Sequence, residues 1–113
     1  MPEEYADIEV SITRWIDDDP QPRIVEFEFS DRFGRQWRFH EKQVYASSEW
    51  LDADCAYRRL GDVRCLVLSR WQDEEGRAIV GIDTFRGGSV ESLEEVRRFE
   101  VFASQLLPRG PSS

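Results

Sequence analysis

From Ala6 to Ile12 every second residue is apolar: Ala6, Ile8, Val10 and Ile12 alternate with Asp7, Glu9 and Ser11. The same period of two recurs in Val25, Phe27 and Phe29, separated by Glu26 and Glu28, and again in Trp37 and Phe39. Successive side chains of a strand point to opposite faces, so this period buries one face of a sheet and leaves the other to water. A helix buries a stripe that repeats every three or four residues and cannot use such a pattern. The chain is therefore predicted to be mainly β, with half-buried strands in an antiparallel sheet.

The pattern also places the elements. The first strand runs from Ala6 to Trp15–Ile16 and is broken by Asp17-Asp18-Asp19-Pro20-Gln21-Pro22. The second carries Val25, Phe27 and Phe29, and Asp31-Arg32-Phe33-Gly34 reads as a tight hairpin loop whose glycine supplies the positive φ. The third runs from Gln36 to Lys42, with Trp37 and Phe39 extending the apolar face of the second. Alternation is lost over 43–60, predicted as a loop with at most a short helical turn near Trp50, anchored by Trp50, Leu51 and Tyr57. Val63 to Leu68 is apolar on both faces, as a central or covered strand would be. Asp73-Glu74-Glu75-Gly76 is a turn, and Ile79, Val80, Ile82 and Phe85 form the returning fifth strand, ended by Arg86-Gly87-Gly88-Ser89.

The segment 92–107 fits two structures. Leu93, Val96, Phe99, Ala103, Leu106 and Leu107 recur as on a helix, with Ser92 and Glu95 as a capping box. Phe99 and Val101 alternate with Arg98 and Glu100 as in a sixth strand. The expected fold is a single domain over 1–107, a small antiparallel barrel or strongly twisted sheet of five to six strands. The 43–60 loop closes one end, and a flexible tail occupies 108–113. Such a topology is compatible with an OB-like barrel.

With 113 residues the chain forms one domain and buries roughly two thirds of its unfolded surface, enough to fold without a disulfide framework or structural metal. Cys55 and Cys65 form no such framework, and no apolar run or signal-like segment is present, which points to the cytoplasm. The net charge is −8, and its excess lies in the first half: residues 1–56 hold six basic and fourteen acidic side chains, 57–113 nine of each. Duplex nucleic acid and anionic membrane repel such a surface, whereas a basic protein is attracted to it.

No catalytic or cofactor pattern stands out. His40 is the only histidine, and strand register puts it opposite Trp37 and Phe39, facing solvent. One His and two Cys are too few for a structural zinc site. Cys65 lies inside an apolar strand, and Cys55, beside Arg58 and Arg59, has no partner base. Neither Asp17-Asp18-Asp19 nor Asp73-Glu74-Glu75 has calcium-loop spacing, and Gly87-Gly88-Ser89 lacks the Gly-Lys-Ser/Thr ending of a phosphate loop. Neither a metal nor a cofactor is therefore expected. The aromatic residues are the richest feature: they fill a small β core, or stack bases with Arg32, Arg35 and Arg38 around Trp37. Glu26, Glu28 and Glu41 are expected beside those arginines, cancelling their field. Trp15 lies out of phase with Ile8, Val10 and Ile12 and so should project from the face opposite the core, and Trp71 follows the end of an apolar strand. With Asp17, Asp18 and Asp19 these two tryptophans are the candidate binding residues.

The runs Ile12-Thr13-Arg14-Trp15, Val25-Glu26-Phe27-Glu28-Phe29-Ser30-Asp31, Gly34-Arg35-Gln36-Trp37-Arg38-Phe39-His40-Glu41-Lys42, Arg64-Cys65 and Arg98-Phe99-Glu100-Val101 resemble a group of small uncharacterised bacterial proteins. The resemblance covers residues 8–107 and implies a Phe-Glu-Val strand near the C-terminus, which favours a sixth strand at 98–102. It implies no activity, cofactor or catalytic residue. The functional expectation is a non-enzymatic interaction module, for instance an immunity or inhibitor protein covering a basic partner. The alternative is an OB-like barrel that binds a small ligand or single-stranded nucleic acid.

Overall fold

The computed structural model describes residues 3–17, 24–42, 45–46 and 57–107. Among these residues seven strands appear in chain order: β1 (Glu4–Asp17), β2 (Ile24–Ser30), β3 (Gln36–Lys42), β4 (Arg59–Gln72), β5 (Ala78–Asp83), β6 (Arg98–Phe102) and the two-residue β7 (Leu106–Leu107). They form one antiparallel sheet ordered β3-β2-β1-β4-β5-β6, with β7 added alongside β1. The sheet is curled into a half-barrel, and its two ends approach each other. Arg32 N donates to Glu100 O at 2.8 Å and Leu93 N to Arg38 O at 2.9 Å, which ties β6 and the segment before it to the β2–β3 hairpin. Gln105 bridges the same gap, donating to Ser30 O while accepting from Phe102 N.

The alternating residues line the concave face. Ile8, Ile12, Val25, Phe27, Phe39, Ile82 and Val101 are fully buried. Register pairs Phe27 with Phe39 and Phe29 with Trp37, as the sequence pattern requires. Phe99 of β6 meets Phe29 edge-on at 5.1 Å, so aromatic contacts fill the space between the two ends of the sheet. Glycines at φ +84° (Gly34) and +80° (Gly76) make the two hairpin turns, a conformation that costs other residues steric strain.

Three expectations are corrected and one pair of alternatives is decided. First, β4 extends from Arg59 to Gln72, well beyond Val63–Leu68, because Arg59 to Val67 pair with β1 and Leu66 to Gln72 run along β5. Second, β5 stops at Asp83: Phe85–Gly88 is a single helical turn packed on β4, with Asp83 Oδ1 accepting from Phe85 N and Arg86 N. Third, of the two structures that fit 92–107 the favoured strand is the one present, followed by a single 3-10 turn over Ala103–Gln105. Residues 98–102 form β6, and Ser92 Oγ accepts from Glu94 N and Val96 N, capping a tight turn with Glu95 at φ +66°.

Fourth, Trp15 does not project from the face opposite the core. Register slips between Ile12 and Arg14, so Thr13 is an extra residue, a β-bulge that reverses the phase of the residues after it. Trp15 then stands opposite the buried Val25 and packs, half-exposed, against the core. The expected loop at 43–60 and tail at 108–113 lie mostly outside the described residues, where only Tyr45, Ala46 and 57–60 of the loop are placed.

Candidate functional site

Two polar constructions stand on this sheet. The first, on the convex face of β2, is internally complete. Glu26 is nearly buried, yet its carboxylate accepts from Thr13 Oγ1 at 2.6 Å and Arg14 at 3.2 Å, with His40 Nε2 2.9 Å away. The bulge at Thr13 brings both β1 side chains to one carboxylate. Burial by itself raises the Glu26 pKa, but the bonds from Thr13, Arg14 and His40 outweigh it and bring it down to about 2. Two residues along, Glu28 accepts from Arg58 at 2.8 Å and Arg38 at 3.4 Å. Of the expected pairings of Glu26, Glu28 and Glu41 with Arg32, Arg35 and Arg38 only Arg38–Glu28 forms, since Arg32 pairs with Glu100 and Arg35 with Glu94, and His40 is half-buried against Glu26 instead of facing solvent freely.

The second construction is a cleft of about 370 Å³ where the two ends of the curled sheet meet. Its walls are Leu68, Ser69 and Trp71 of β4 on one side, and Asp31, Phe33 and Trp37 of the β2–β3 hairpin on the other. Gly81, Ile82, Arg98, Phe99 and Glu100 of β5 and β6 lie between them. Local sequence makes this hollow. A register slip in the β4–β5 ladder leaves Leu68 unpaired there and 41% exposed, and sets Ser69 opposite Gly81. A Cβ on Gly81 would lie 2.9 Å from Ser69 Oγ and 3.6 Å from Trp71 Cζ3, so a side chain there would push the Ser69 hydroxyl aside and take up part of the hollow.

The cleft is apolar and exposed: Phe33 is 70% and Trp71 37% accessible. Its carboxylates are already engaged. Asp31 accepts Trp37 Nε1 at 2.9 Å on one oxygen and the Phe33 and Arg35 N–H groups on the other, while Glu100 accepts Arg32 Nε at 2.7 Å. The guanidinium groups of Arg35 and Arg32 lie over the Trp37 and Phe33 rings at 4.0 and 4.3 Å. Trp71 differs. Among the described residues it has no hydrogen-bond, ring or cation partner, and it also borders a second hollow lined by Arg32, Gln72, Asp73, Glu74, Glu75 and Arg77. There the N–H bonds from Arg77 hold the Asp73 carboxyl below its usual range.

Of the residues singled out from sequence, Trp71 lines this cleft. Trp15 packs on the core at the β1–β2 end, Asp17 closes β1, and Asp18 and Asp19 lie outside the described residues. The structure therefore does not bring Trp15 and Trp71 into one site. Phe33, Leu68, Gly81 and Arg98 were missed. Gly81, lying between Val80 and Ile82, and Phe33, an aromatic placed in the turn before Gly34, are the signals that could have marked them. Among the described residues no group of three His, Cys, Asp or Glu side chains is placed to hold a metal ion, and no helix is long and apolar enough to cross a membrane. No protein-family model matches the chain, and no curated protein or solved structure does either.

Proposed function

We propose that this protein is a non-catalytic interaction module of the cytoplasm that captures a basic protein partner, in the manner of an immunity or inhibitor protein. The observation that carries this reading is Trp71, a large aromatic side chain with no internal partner among the described residues, set between an apolar cleft and a hollow where Asp73, Glu74 and Glu75 outnumber Arg32 and Arg77. Tryptophans of this kind supply much of the energy at protein interfaces because they bury a large area with little loss of conformational freedom. The net charge of −8 adds long-range attraction to a basic surface and speeds encounter.

Selection from a random peptide display library tests it. Enrichment of sequences with Arg or Lys flanking an apolar residue is expected, with capture lost in the Trp71→Ala variant and weakened by salt. Enrichment that ignores charge, or capture that survives Trp71→Ala, overturns the reading. A second reading, single-stranded nucleic acid stacked on the exposed rings of Phe33 and Trp71, draws support from the Arg32 guanidinium beside Phe33. Anisotropy of a labelled single-stranded oligonucleotide decides between them: salt-sensitive binding favours the nucleic acid.

A further inference from the structure

The groups left unused in the Trp71 cleft have one chemical character. Its acceptors are consumed internally, Asp31 by Trp37 and two backbone N–H groups and Glu100 by Arg32. The free groups include donors: the Trp71 indole N–H and the Ser69 hydroxyl have no hydrogen-bond partner among the described residues. The Arg98 guanidinium touches only Asp83 Oδ2 among the described residues, through Nε at 3.5 Å, and is 70% exposed. That Asp83 is itself committed, its other oxygen accepting two N–H groups of the helical turn. Arg98 is thus held from behind, with its two terminal NH₂ groups free. Around these donors the lining is Phe33, Trp37, Leu68, Ile82 and Phe99.

We infer that the cleft binds a small molecule with an apolar, preferably aromatic, body and a carboxylate, the body lying between Phe33 and Trp71 and the carboxylate facing Arg98 and Ser69. A volume of about 370 Å³ falls in the range of small-ligand sites, which combine an apolar lining with a few convergent polar groups. Inside the cleft a cationic ligand fits worse, because every carboxylate it would meet there already has a donor and Arg98 lines the wall, whereas the basic flank of a protein partner would meet Glu74 in the hollow on the other side of Trp71. Guanidinium pairs with carboxylate through charge-assisted, often bidentate hydrogen bonds, which supplies the selectivity. The inference rests on the reading of the Trp71 cleft as a contact site, but not on that contact being with a protein. A bound acid would also occupy the space a docking side chain needs, which makes it a competitor of the partner.

The test compares three probes of one shape, phenylacetate, phenylacetamide and phenethylamine, by two-dimensional NMR of the ¹⁵N-labelled full chain. Phenylacetate is expected to shift the Trp71 indole N–H and Ser69 amide signals with a Kd of about 1 mM, the strength reached by a fragment of its size. The amide should bind several-fold more weakly and the amine more weakly still. Arg98→Gln should weaken phenylacetate about tenfold and leave phenylacetamide nearly unchanged. Since Arg98 also meets Asp83, Arg98→Lys serves as a second variant, expected to retain part of the preference for the acid. Equal or tighter binding of the amine, shifts confined to residues outside the cleft, or no binding of phenylacetate overturns the inference. Peptide capture measured on the same samples reports separately on the protein-interaction reading, so loss of one leaves the other legible.

Discussion

Trp37 and Trp71 face the same cleft from opposite walls and are held in opposite ways. Trp37 is 8% exposed, its N–H donates to Asp31 at 2.9 Å, Arg35 covers one face of its ring, and Phe99 meets it edge-on at 5.1 Å. Trp71 has none of these. Residue type does not separate the two, and neither does proximity to the cleft. The difference lies in how many of a side chain's capacities the fold uses: where all are used the residue belongs to the structure, and where they are left over it is available to a partner. The convex face of β2 shows the first condition with charges in place of rings, since each buried carboxylate there has its donors.

This contrast breaks most easily on stability. Trp37→Ala is expected to cost about 3–5 kcal/mol in urea denaturation, as a large aromatic lost from a core does. A cost under about 1 kcal/mol would show that Trp37 and Trp71 are alike after all. Acid probes the charged face. Because the folded Glu26 carboxyl titrates at about 2, below its ordinary value of 4.5, it contributes stability above pH 4.5 that is lost as pH falls toward 2. The loss is about 3 kcal/mol. Glu26→Gln should flatten that acid limb in a series of urea titrations, and an unchanged slope would show that the carboxylate plays no part in it.

Trp15→Ala separates the corrected placement from the sequence expectation. A half-exposed ring on the core should cost about 2 kcal/mol, against almost nothing for a side chain standing free on the other face. Smallest is the effect of Trp71→Ala, expected to stay within about 1 kcal/mol of the parent. A further sharpening comes from hydrogen exchange of the indole N–H groups, fast at Trp71 and slow at Trp37. Slow exchange at Trp71 would mean that the fold itself covers it.

The β class, the two hairpin turns and the pairing of β2 with β3 could be read from the sequence because each obeys local rules: period two, and a glycine at positive φ. The sixth strand could not be settled that way, because the apolar residues of 92–107 fit both periods. Nor could the bulges. An out-of-phase Trp15 is compatible with an aromatic turned to solvent and with an inserted residue that returns it to the core, and only the partner strand decides between them. The cleft was legible in one residue. Trp71 stood out because it comes after the apolar run, but Phe33, Gly81 and Arg98 come from three other elements, and their meeting depends on the curl of the whole sheet. The charged face of β2 was half-visible: the pairing of Arg38 with Glu28 is a consequence of alternation, whereas the share of Glu26 taken by Thr13 and Arg14 needs the bulge.

The pairing of β7 with β1 bears on the order in which the molecule assembles. Asp7 and Ile8 find one neighbour in β4 and the other in Leu106 and Leu107, almost a hundred residues away along the chain. Loop-closure entropy is spent before such contacts give any return, and proteins dominated by them reach the native state in milliseconds to seconds instead of microseconds. During synthesis the N-terminal half of β1 therefore waits, one edge unsatisfied, until the last strand has left the ribosome. The alternation that makes Ala6 to Ile12 a good strand leaves it, over that interval, open to pairing with another chain.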